Sequence, residues 1–229
     1  MNLMTLSSET VSEEASLPAT GPNTEPGWDR APDFGRRETI LRTLRRLHQL
    51  HPGPACIIET GTLRNDSPSG LSSDGWSTVA WGWYCLQVGG NVYTVDVDSG
   101  ALEVCRRMTA PYASAVEYIA SDSVEFLRQW TKQGRGQIHL LYLDSLDYFP
   151  HQQEQSEKHH LAEAEAALPS LAISCLVLID DTSPAGGPGQ EGVPSLTGKG
   201  ARAVPFLLER GFRLEWCESG QVLLSRDVN

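Results

Sequence analysis

The chain lacks an excess of basic residues, a long apolar run and a closely spaced cysteine pair. Its 229 residues carry 18 Lys and Arg against 29 Asp and Glu, which gives a formal charge of −11. Binding to nucleic-acid phosphates needs clustered basic residues, so this balance argues against nucleic acid as a partner. The apolar runs are too short to cross a bilayer, and no membrane segment is predicted. A small-molecule substrate or a neutral-to-basic partner fits this composition better.

The cysteines and the first residues point to a reducing compartment. The five cysteines are widely spaced and include no CxxC pair, so we interpret them as buried thiols. The first residues are polar and acidic, without a basic region ahead of an apolar core, and no secretory signal is predicted. We therefore expect a cytoplasmic protein. Residues 1–33 are expected to form a flexible tail before a single domain at 34–229, and homo-oligomerisation stays open.

What the chain does contain is a series of apolar runs that end in acidic residues. They are IIETGT (57–62), VYTVDVD (92–98), HLLYLDSLDY (139–148) and LVLIDD (176–181). Such runs are typical of buried parallel strands whose carboxyl ends open onto a ligand crevice. Functional residues are therefore expected at Glu59, Asp96, Asp144, Asp180 and Asp181.

Helix-like segments between these runs predict a doubly wound α/β fold. An amphipathic helix begins near Arg36, and its arginines are interpreted as a solvated face. FRLEWCESGQVLLSR predicts a C-terminal antiparallel hairpin around Ser219 and Gly220. We expect a mostly parallel, seven-stranded sheet with helices on both faces. The predicted parallel strands are 56–59, 92–96, 116–120, 138–143 and 174–180, followed in turn by helices 76–88, 100–109, 122–133, 157–168 and 199–210.

The turn after the first strand argues against a dinucleotide cofactor. A dinucleotide site needs GxGxxG at this turn, whereas the chain has Glu59-Thr60-Gly61-Thr62. A carboxylate here would repel pyrophosphate, but it suits a cationic ligand that carries an amine, a sulfonium and ribose hydroxyls. Asp96 ends the next strand, where an acid accepts hydrogen bonds from ribose hydroxyls. A nicotinamide dehydrogenase is therefore disfavoured.

The E-x-G turn, the acid that ends the second strand and ASDS (120–123) resemble the S-adenosylmethionine site of class I methyltransferases. The resemblance covers about residues 36–226 and implies a Rossmann-like methyltransferase fold with S-adenosylmethionine as cofactor. The cofactor-binding residues that it implies are Glu59, Gly61, Thr62, Ser77, Asp96, Ser121, Asp122 and Asp144. Ser77 and Asp122 also suit the capping of helix N-termini, and that interpretation stays open.

Within this class, LDSLD (143–147) and LIDD (178–181) resemble the metal-dependent small-molecule O-methyltransferases of the catechol and macrolide-sugar types. Proteins labelled cephalosporin-hydroxylase-like are similar there too. The resemblance implies a divalent ion, Mg²⁺ or else Mn²⁺ or Fe²⁺, on Asp144, Asp180 and Asp181. Without a cation, three converging carboxylates would raise one another's pKa. It also implies O-methylation of a small metabolite, as in natural-product biosynthesis. The alternative is that these aspartates are only turn residues.

The catalytic base is the weakest part of the resemblance. Where the catechol-type enzymes carry a lysine, this chain has Asp147. His159 and His160 are the candidate bases because imidazole titrates near neutrality, with His160 preferred and Asp144 completing the catalytic set. Lys199 is a candidate substrate contact. A metal-free N- or O-methyltransferase and an inactive, cofactor-binding regulatory protein remain as alternatives.

Overall fold

The computed structural model describes residues 25–67, 69, 76–185 and 195–227. Within these ranges the strands are β1 Cys56–Thr60, β2 Asn91–Asp96, β3 Val116–Ala120, β4 Ile138–Leu143, β5 Leu171–Ile179, β6 Thr182–Pro184, β7 Leu196–Gly198, β8 Arg213–Glu218 and β9 Gln221–Arg226. The α-helices are α1 Arg37–Leu50, α2 Ser77–Val88, α3 Ser99–Met108, α4 Ser123–Gln133, α5 Gln153–Ala167 and α6 Gly200–Leu208.

Seven strands form one sheet in the order β3-β2-β1-β4-β5-β9-β8. The first five are parallel, whereas β9 runs antiparallel to both β5 and β8. The expected mostly parallel sheet with a C-terminal antiparallel hairpin is therefore confirmed. The central strands are apolar along their length because helices cover both of their faces.

Alternate residues of each central strand face different helical layers. Ile57 packs in one apolar cluster with Leu44 of α1 and Trp81 of α2. Its neighbour Ile58 packs in a second cluster with Leu127 of α4, and α5 and α6 contribute to the same cluster. This alternation has the period of two that a strand imposes. The expected doubly wound arrangement is thus present. No helix in the described ranges is long and apolar enough to cross a membrane.

Residues 25–33 of the N-terminal segment pack against the domain. Residues 1–24 of the expected tail lie outside the described residues. Residues 25–33 were also expected in the tail, but the Trp28 ring stacks on Tyr84 with centroids 6.1 Å apart, and Ala31 is buried. A single tryptophan in a polar segment gives no periodic pattern, so the sequence interpretation missed this anchor.

The starts of one helix and one strand differ from the sequence prediction by three residues or more. The helix α5 begins at Gln153 rather than at 157. The sequence prediction missed this first turn because the turn is polar and has no apolar periodicity. The strand β5 begins at Leu171 rather than 174. The Gly/Pro-rich stretch after β5 was expected to be only a loop, but its two ends pair as the antiparallel strands β6 and β7.

Gly90 is predicted to be essential for the packing of β2 beside β1. A Cβ atom at Gly90 would lie 2.2 Å from the backbone oxygen of Ala55, whereas one at Gly53 would meet nothing within 4 Å. We expect Gly90→Ala to lower the free energy of unfolding by ~2–3 kcal/mol and Gly53→Ala to change it by less than ~1 kcal/mol. Chemical denaturation of the two variants measures the difference. Equal stabilities would show that the turn relaxes around the added methyl group.

Candidate functional site

The carboxyl ends of β1, β4 and β5 lie side by side and bring the predicted acidic residues together. Gly61, directly after β1, has a φ of 82°, and a Cβ atom there would lie 2.3 Å from the backbone oxygen of Asp144. Only glycine fits this approach. The Gly61 N–H also donates to the oxygen of Val95 at 2.9 Å. The E-x-G turn therefore fixes the floor of the site.

Asp144, Asp180 and Asp181 converge at this edge. Each offers a carboxylate oxygen within 4.8 Å of the others. Asp180 is buried, whereas the side chains of Asp144 and Asp181 are 25% and 42% exposed. Asp181 adopts the left-handed conformation with a φ of 41°, which turns the chain immediately after β5. The three residues predicted for a metal site are thus neighbours in space.

Two basic side chains compensate these carboxylates. The Lys199 ammonium bonds to Asp144 and lies 3.1 Å from Asp181 Oδ2. Arg36 pairs with Asp180, and its second terminal nitrogen lies 3.7 Å from Asp181 Oδ1. Arg36 was expected on a solvated face, which is wrong for this residue. It precedes the first turn of α1, so the amphipathic pattern of the helix does not determine its direction.

The β6–β7 pair explains how Lys199 reaches the acidic residues. The Lys199 N–H donates to the backbone oxygen of Asp181 at 3.1 Å, and the Gly200 N–H donates to Thr182 Oγ1 at 2.8 Å. Gly198 has a φ of 97°, and a Cβ atom there would lie 1.8 Å from the Asp181 oxygen. The pairing of β7 with β6 therefore positions the fully buried Lys199 side chain beside the acidic residues.

Tyr142 is a further member of the cluster that sequence reasoning missed. Its hydroxyl lies 3.1 Å from Asp180 Oδ2 and 3.3 Å from Asp144 Oδ2. Gln221 Nε2 donates to the same hydroxyl at 3.4 Å. Tyr142 precedes Asp144 by two residues and so faces the same side of the strand. That spacing was the available signal.

Burial and charge set the protonation states of the cluster. Burial, together with the charge of Asp180, raises the pKa of Asp144 well above its usual value despite the opposing Lys199. Burial alone would raise the pKa of Asp180, but Arg36 and Lys199 hold it below the usual range. Burial would lower the pKa of Lys199, yet Asp144 and Asp181 outweigh that effect and raise it. Asp180 is therefore ionised and Lys199 is an ammonium at neutral pH.

The cluster meets the chemical requirements of a divalent-cation site. Asp180 Oδ1 is buried and has no hydrogen-bond partner in the described part of the chain. Buried polar atoms are normally satisfied, so this oxygen is free for a ligand. Three carboxylates are hard oxygen donors of the kind that Mg²⁺ and Mn²⁺ prefer. A cation would nevertheless have to share these carboxylates with Arg36 and Lys199.

Three adjoining cavities, the acid cavity, the Asp122 cavity and the Phe149 cavity, lie around the cluster. The acid cavity is lined by Arg36, Gly61, Thr62, Arg64, Asp96, Asp144, Ser145, Asp147, Asp180 and Asp181. The Asp122 cavity, of about 300 Å³, is lined by Gly61, Val95, Asp96, Val97, Ser121, Asp122, Ser123, Ser145, Leu146, Gln155 and His159. The Phe149 cavity, of about 500 Å³, is lined by Arg64, Asp147, Tyr148, Phe149, Asp181, Ser183, Thr197, Gly198 and Gly220. The acid cavity shares residues with each of the other two and therefore lies between them.

Most of the predicted cofactor residues line these cavities. Asp96 borders both the acid cavity and the Asp122 cavity. One of its oxygens accepts from the Asp98 N–H at 2.8 Å. Ser121 lines the Asp122 cavity, while Asp122 also caps α4 by accepting from the Glu125 N–H at 2.9 Å. Asp122 therefore both caps α4 and lines the cavity wall.

Glu59 and Ser77 occupy a different place from the one expected. Glu59 is buried, and its carboxylate accepts from Ser77 Oγ at 2.6 Å, Trp81 Nε1 at 3.0 Å and Thr94 Oγ1 at 2.8 Å, with Thr78 as a fourth donor. Neither Glu59 nor Ser77 is among the residues that line the three cavities. Glu59 therefore ties the start of α2 to the sheet instead of facing the crevice.

The two candidate histidines differ in their surroundings. His160 is fully buried, its Nδ1 donates to the Ser156 oxygen at 2.7 Å, and burial lowers its pKa to about 4. It lines none of the three cavities, so its position does not suit a base that must contact substrate. His159 lines the Asp122 cavity, which shares no lining residue with the Phe149 cavity. Asp147, in the place of the expected lysine, pairs with Arg64 at 3.0 Å.

Comparison with known proteins relates the chain to methyltransferases by a family model and by its fold. Residues 72–182 match the family model described as "Methyltransferase domain". No curated protein sequence matches the chain. An SAH-bound methyltransferase from Podospora anserina, PaMTH1, is 14% identical and aligns with a TM-score of 0.56 over 88% of this chain and 86% of its own. An O-methyltransferase from Bacillus cereus in complex with SAH is 14% identical, with a TM-score of 0.52 over 87% and 86%.

A third similar structure is precorrin-6y C5,15-methyltransferase from Geobacter metallireducens. It is 11% identical and aligns with a TM-score of 0.53 over 93% of this chain and 100% of its own. At such identities the likeness shows the fold, and the fold is that of Rossmann-like methyltransferases. The expected resemblance to class I S-adenosylmethionine-dependent methyltransferases is therefore confirmed, and the family match supports a methyltransferase enzyme.

Arg36 is predicted to stabilise the fold because it compensates the buried Asp180. We expect Arg36→Gln to lower the free energy of unfolding by ~3 kcal/mol at neutral pH, since it leaves a buried charge without its closest partner. Arg45→Gln, at an exposed arginine of α1, is the control and should cost less than ~1 kcal/mol. Urea denaturation measures both. If the two variants were equally stable, the Arg36 pair would not be the compensating interaction.

Proposed function

We propose that this methyltransferase-domain chain transfers the methyl group of S-adenosylmethionine to a hydroxyl of a small metabolite. The observation that carries the proposal is the order of the three cavities. The Asp122 cavity is lined by Gly61, Asp96, Ser121 and Asp122, which are half of the residues expected for the cofactor, and the acid cavity joins it to the Phe149 cavity. A methyl donor on one side and an acceptor on the other would meet at the acidic cluster.

The cofactor side is supported by the charge and position of Asp96. An acid at the end of β2 is placed to accept hydrogen bonds from the two ribose hydroxyls. Its position between two cavities suits a ligand whose nucleoside lies in the Asp122 cavity and whose sulfonium lies in the acid cavity. Several carboxylates around the acid cavity favour a cationic donor such as a sulfonium.

The acceptor side is supported by the Phe149 cavity. Its volume of about 500 Å³ lies in the range of small-molecule sites. Tyr148 and Phe149 offer aromatic surface, while Asp181 lines both this cavity and the acid cavity. A small acceptor with a ring and a hydroxyl would place the ring on the aromatic side chains and the hydroxyl at the acids. The structural neighbour named an O-methyltransferase is consistent with such an acceptor.

The proposal includes a divalent ion, Mg²⁺ or Mn²⁺, held by Asp144, Asp180 and Asp181. When bound, such an ion supplies Lewis acidity that lowers the pKa of a hydroxyl. The residues of the chain orient the donors: Tyr142 and Arg36 fix Asp180, and Lys199 holds Asp144 beside Asp181. Their common task is to position the acceptor oxygen, since methyl transfer depends mainly on orientation.

A metal-free methyltransferase is the second candidate, and one observation favours it. Arg36 and Lys199 already bring two positive charges to three carboxylates. In that case the aspartates would bind the acceptor hydroxyl directly, and an N-methyl acceptor would also fit. An inactive protein that binds the cofactor would show affinity without turnover. Chelation and cofactor binding together distinguish these candidates.

Asp96 is predicted to contribute directly to cofactor affinity. We expect Asp96→Asn to weaken the binding of S-adenosylhomocysteine by ~1–3 kcal/mol because charge-assisted hydrogen bonds to the ribose are lost. Asp33→Asn, at an exposed aspartate outside the three cavities, should bind like the wild type. Isothermal titration calorimetry measures both affinities. Unchanged binding by Asp96→Asn would remove this residue from the site.

The metal is predicted to be necessary for turnover. With 3,4-dihydroxybenzoate as a probe acceptor, we expect excess EDTA to abolish methylation and added Mg²⁺ or Mn²⁺ to restore it, because the hydroxyl loses its Lewis acid. Asp144→Asn should also weaken Mn²⁺ binding measured by calorimetry, with Asp33→Asn as the control. Full turnover in EDTA, with no Mn²⁺ binding by the wild type, would favour the metal-free candidate.

A further inference from the structure

A buried carboxylate lies directly behind the wall of the Asp122 cavity. Glu163, in α5, has no exposed surface. Its Oε1 accepts from Ser145 Oγ at 2.7 Å and lies 3.3 Å from His159 Nε2. Ser145 and His159 both line the Asp122 cavity. One carboxylate oxygen therefore connects wall residues from the loop after β4 and from α5.

The second oxygen of Glu163 has no such role. Oε2 has no hydrogen-bond partner among the described residues, and His160 Nε2 lies 3.9 Å away, also without a partner there. Since His160 Nδ1 donates to Ser156 and burial keeps the ring neutral at neutral pH, this Nε2 has no proton to donate. The charge of Glu163 is therefore compensated at Oε1, and hydrogen bonds to an ionised group are about twice as strong as neutral ones.

The network extends to a third segment of the wall. His159 Nε2 also lies 3.1 Å from Ser123 Oγ, at the start of α4, and Ser123 lines the same cavity. The loop after β4, α4 and α5 thus meet through Glu163 and His159. Supporting hydrogen bonds of this kind hold the residues of a binding site in one geometry.

We propose that Glu163 is a positioning residue of the cofactor site, which holds Ser145 and His159 against the nucleoside end of S-adenosylmethionine. The inference rests on the proposed function. The Asp122 cavity shares no lining residue with the Phe149 cavity. The reactive methyl group has to approach the acceptor, so the opposite, nucleoside end belongs in the Asp122 cavity.

This role makes cofactor affinity depend on pH through His159. The ring is faced by Glu163 and His160 from its own helix and by Asp122 from the start of α4. The hydrogen bond to Glu163, with the charge of Asp122 adding to it, raises the pKa of His159 above its usual value despite partial burial. The charged bond is complete below the ordinary histidine pKa and is lost as the pH rises through the higher value. Affinity should fall over the same interval.

The experiment is calorimetric titration of S-adenosylhomocysteine between about pH 5.5 and pH 8.5 into four forms of the full chain: wild type, Glu163→Gln, His159→Gln and Glu165→Gln. Glu165 is an exposed glutamate of the same helix, so its variant is the matched control for charge. We expect Glu163→Gln to bind about tenfold more weakly at pH 6.5, the scale of one charge-assisted hydrogen bond. Its affinity should also fall at a lower pH than that of the wild type, whereas Glu165→Gln should follow the wild type.

The outcomes separate this inference from the proposed function. A wild-type chain that does not bind S-adenosylhomocysteine overturns both. Wild-type binding combined with unchanged affinity, or an unchanged pH midpoint, in Glu163→Gln overturns this inference alone. If Glu163→Gln does not fold, His159→Gln decides: weaker and pH-independent binding supports the role, and wild-type behaviour overturns it.

Discussion

The charge compensation at the carboxyl edge of the sheet is the interaction on which the site depends. Asp180 is buried at the end of β5, where an isolated charge would cost several kcal/mol. The ion pair with Arg36 and the nearby charge of Lys199 offset that cost, and the fold brings both side chains to this edge. Arg36 immediately precedes α1, and the pairing of β6 with β7 brings Lys199 to this edge. The ion pair with Arg36 stabilises the buried charge of Asp180 through Oδ2 and leaves Oδ1 of the same carboxylate free for a ligand.

Much of the fold could be predicted because its strands are buried on both faces. Runs such as those of β4 and β5 are apolar throughout, and helical segments separate them, so a parallel sheet is the simplest solution. Short elements without a periodic pattern could not be predicted. The three-residue strands β6 and β7 lie in a Gly/Pro-rich stretch, and Trp28 anchors its segment by ring contacts with His48, Trp83 and Tyr84. In such places tertiary contacts decide the structure.

The position of the site could be predicted from the sequence, but the roles of its residues could be predicted only in part. Asp96, Asp144, Asp180 and Asp181 all lie at strand ends and line the cavities, as the sequence pattern indicates. The pattern does not reveal whether an acid faces the crevice or the interior, and Glu59 turns inward to four donors. In the same way, adjacent histidines on a helix diverge by about 100°, but the sequence does not say which one is buried.

The position of Arg36 in the sequence also affects how the chain folds. Arg36 and Asp180 are 144 positions apart in the chain, and Lys199 and Asp144 are 55 apart. Such distant contacts form only after large loops have closed. The negative charge at this edge of the sheet is thus not compensated until nearly the whole sheet, α1 and β7 have come together. A ligand of this site would bind only completed molecules, so its binding free energy would be added to the stability of the entire domain.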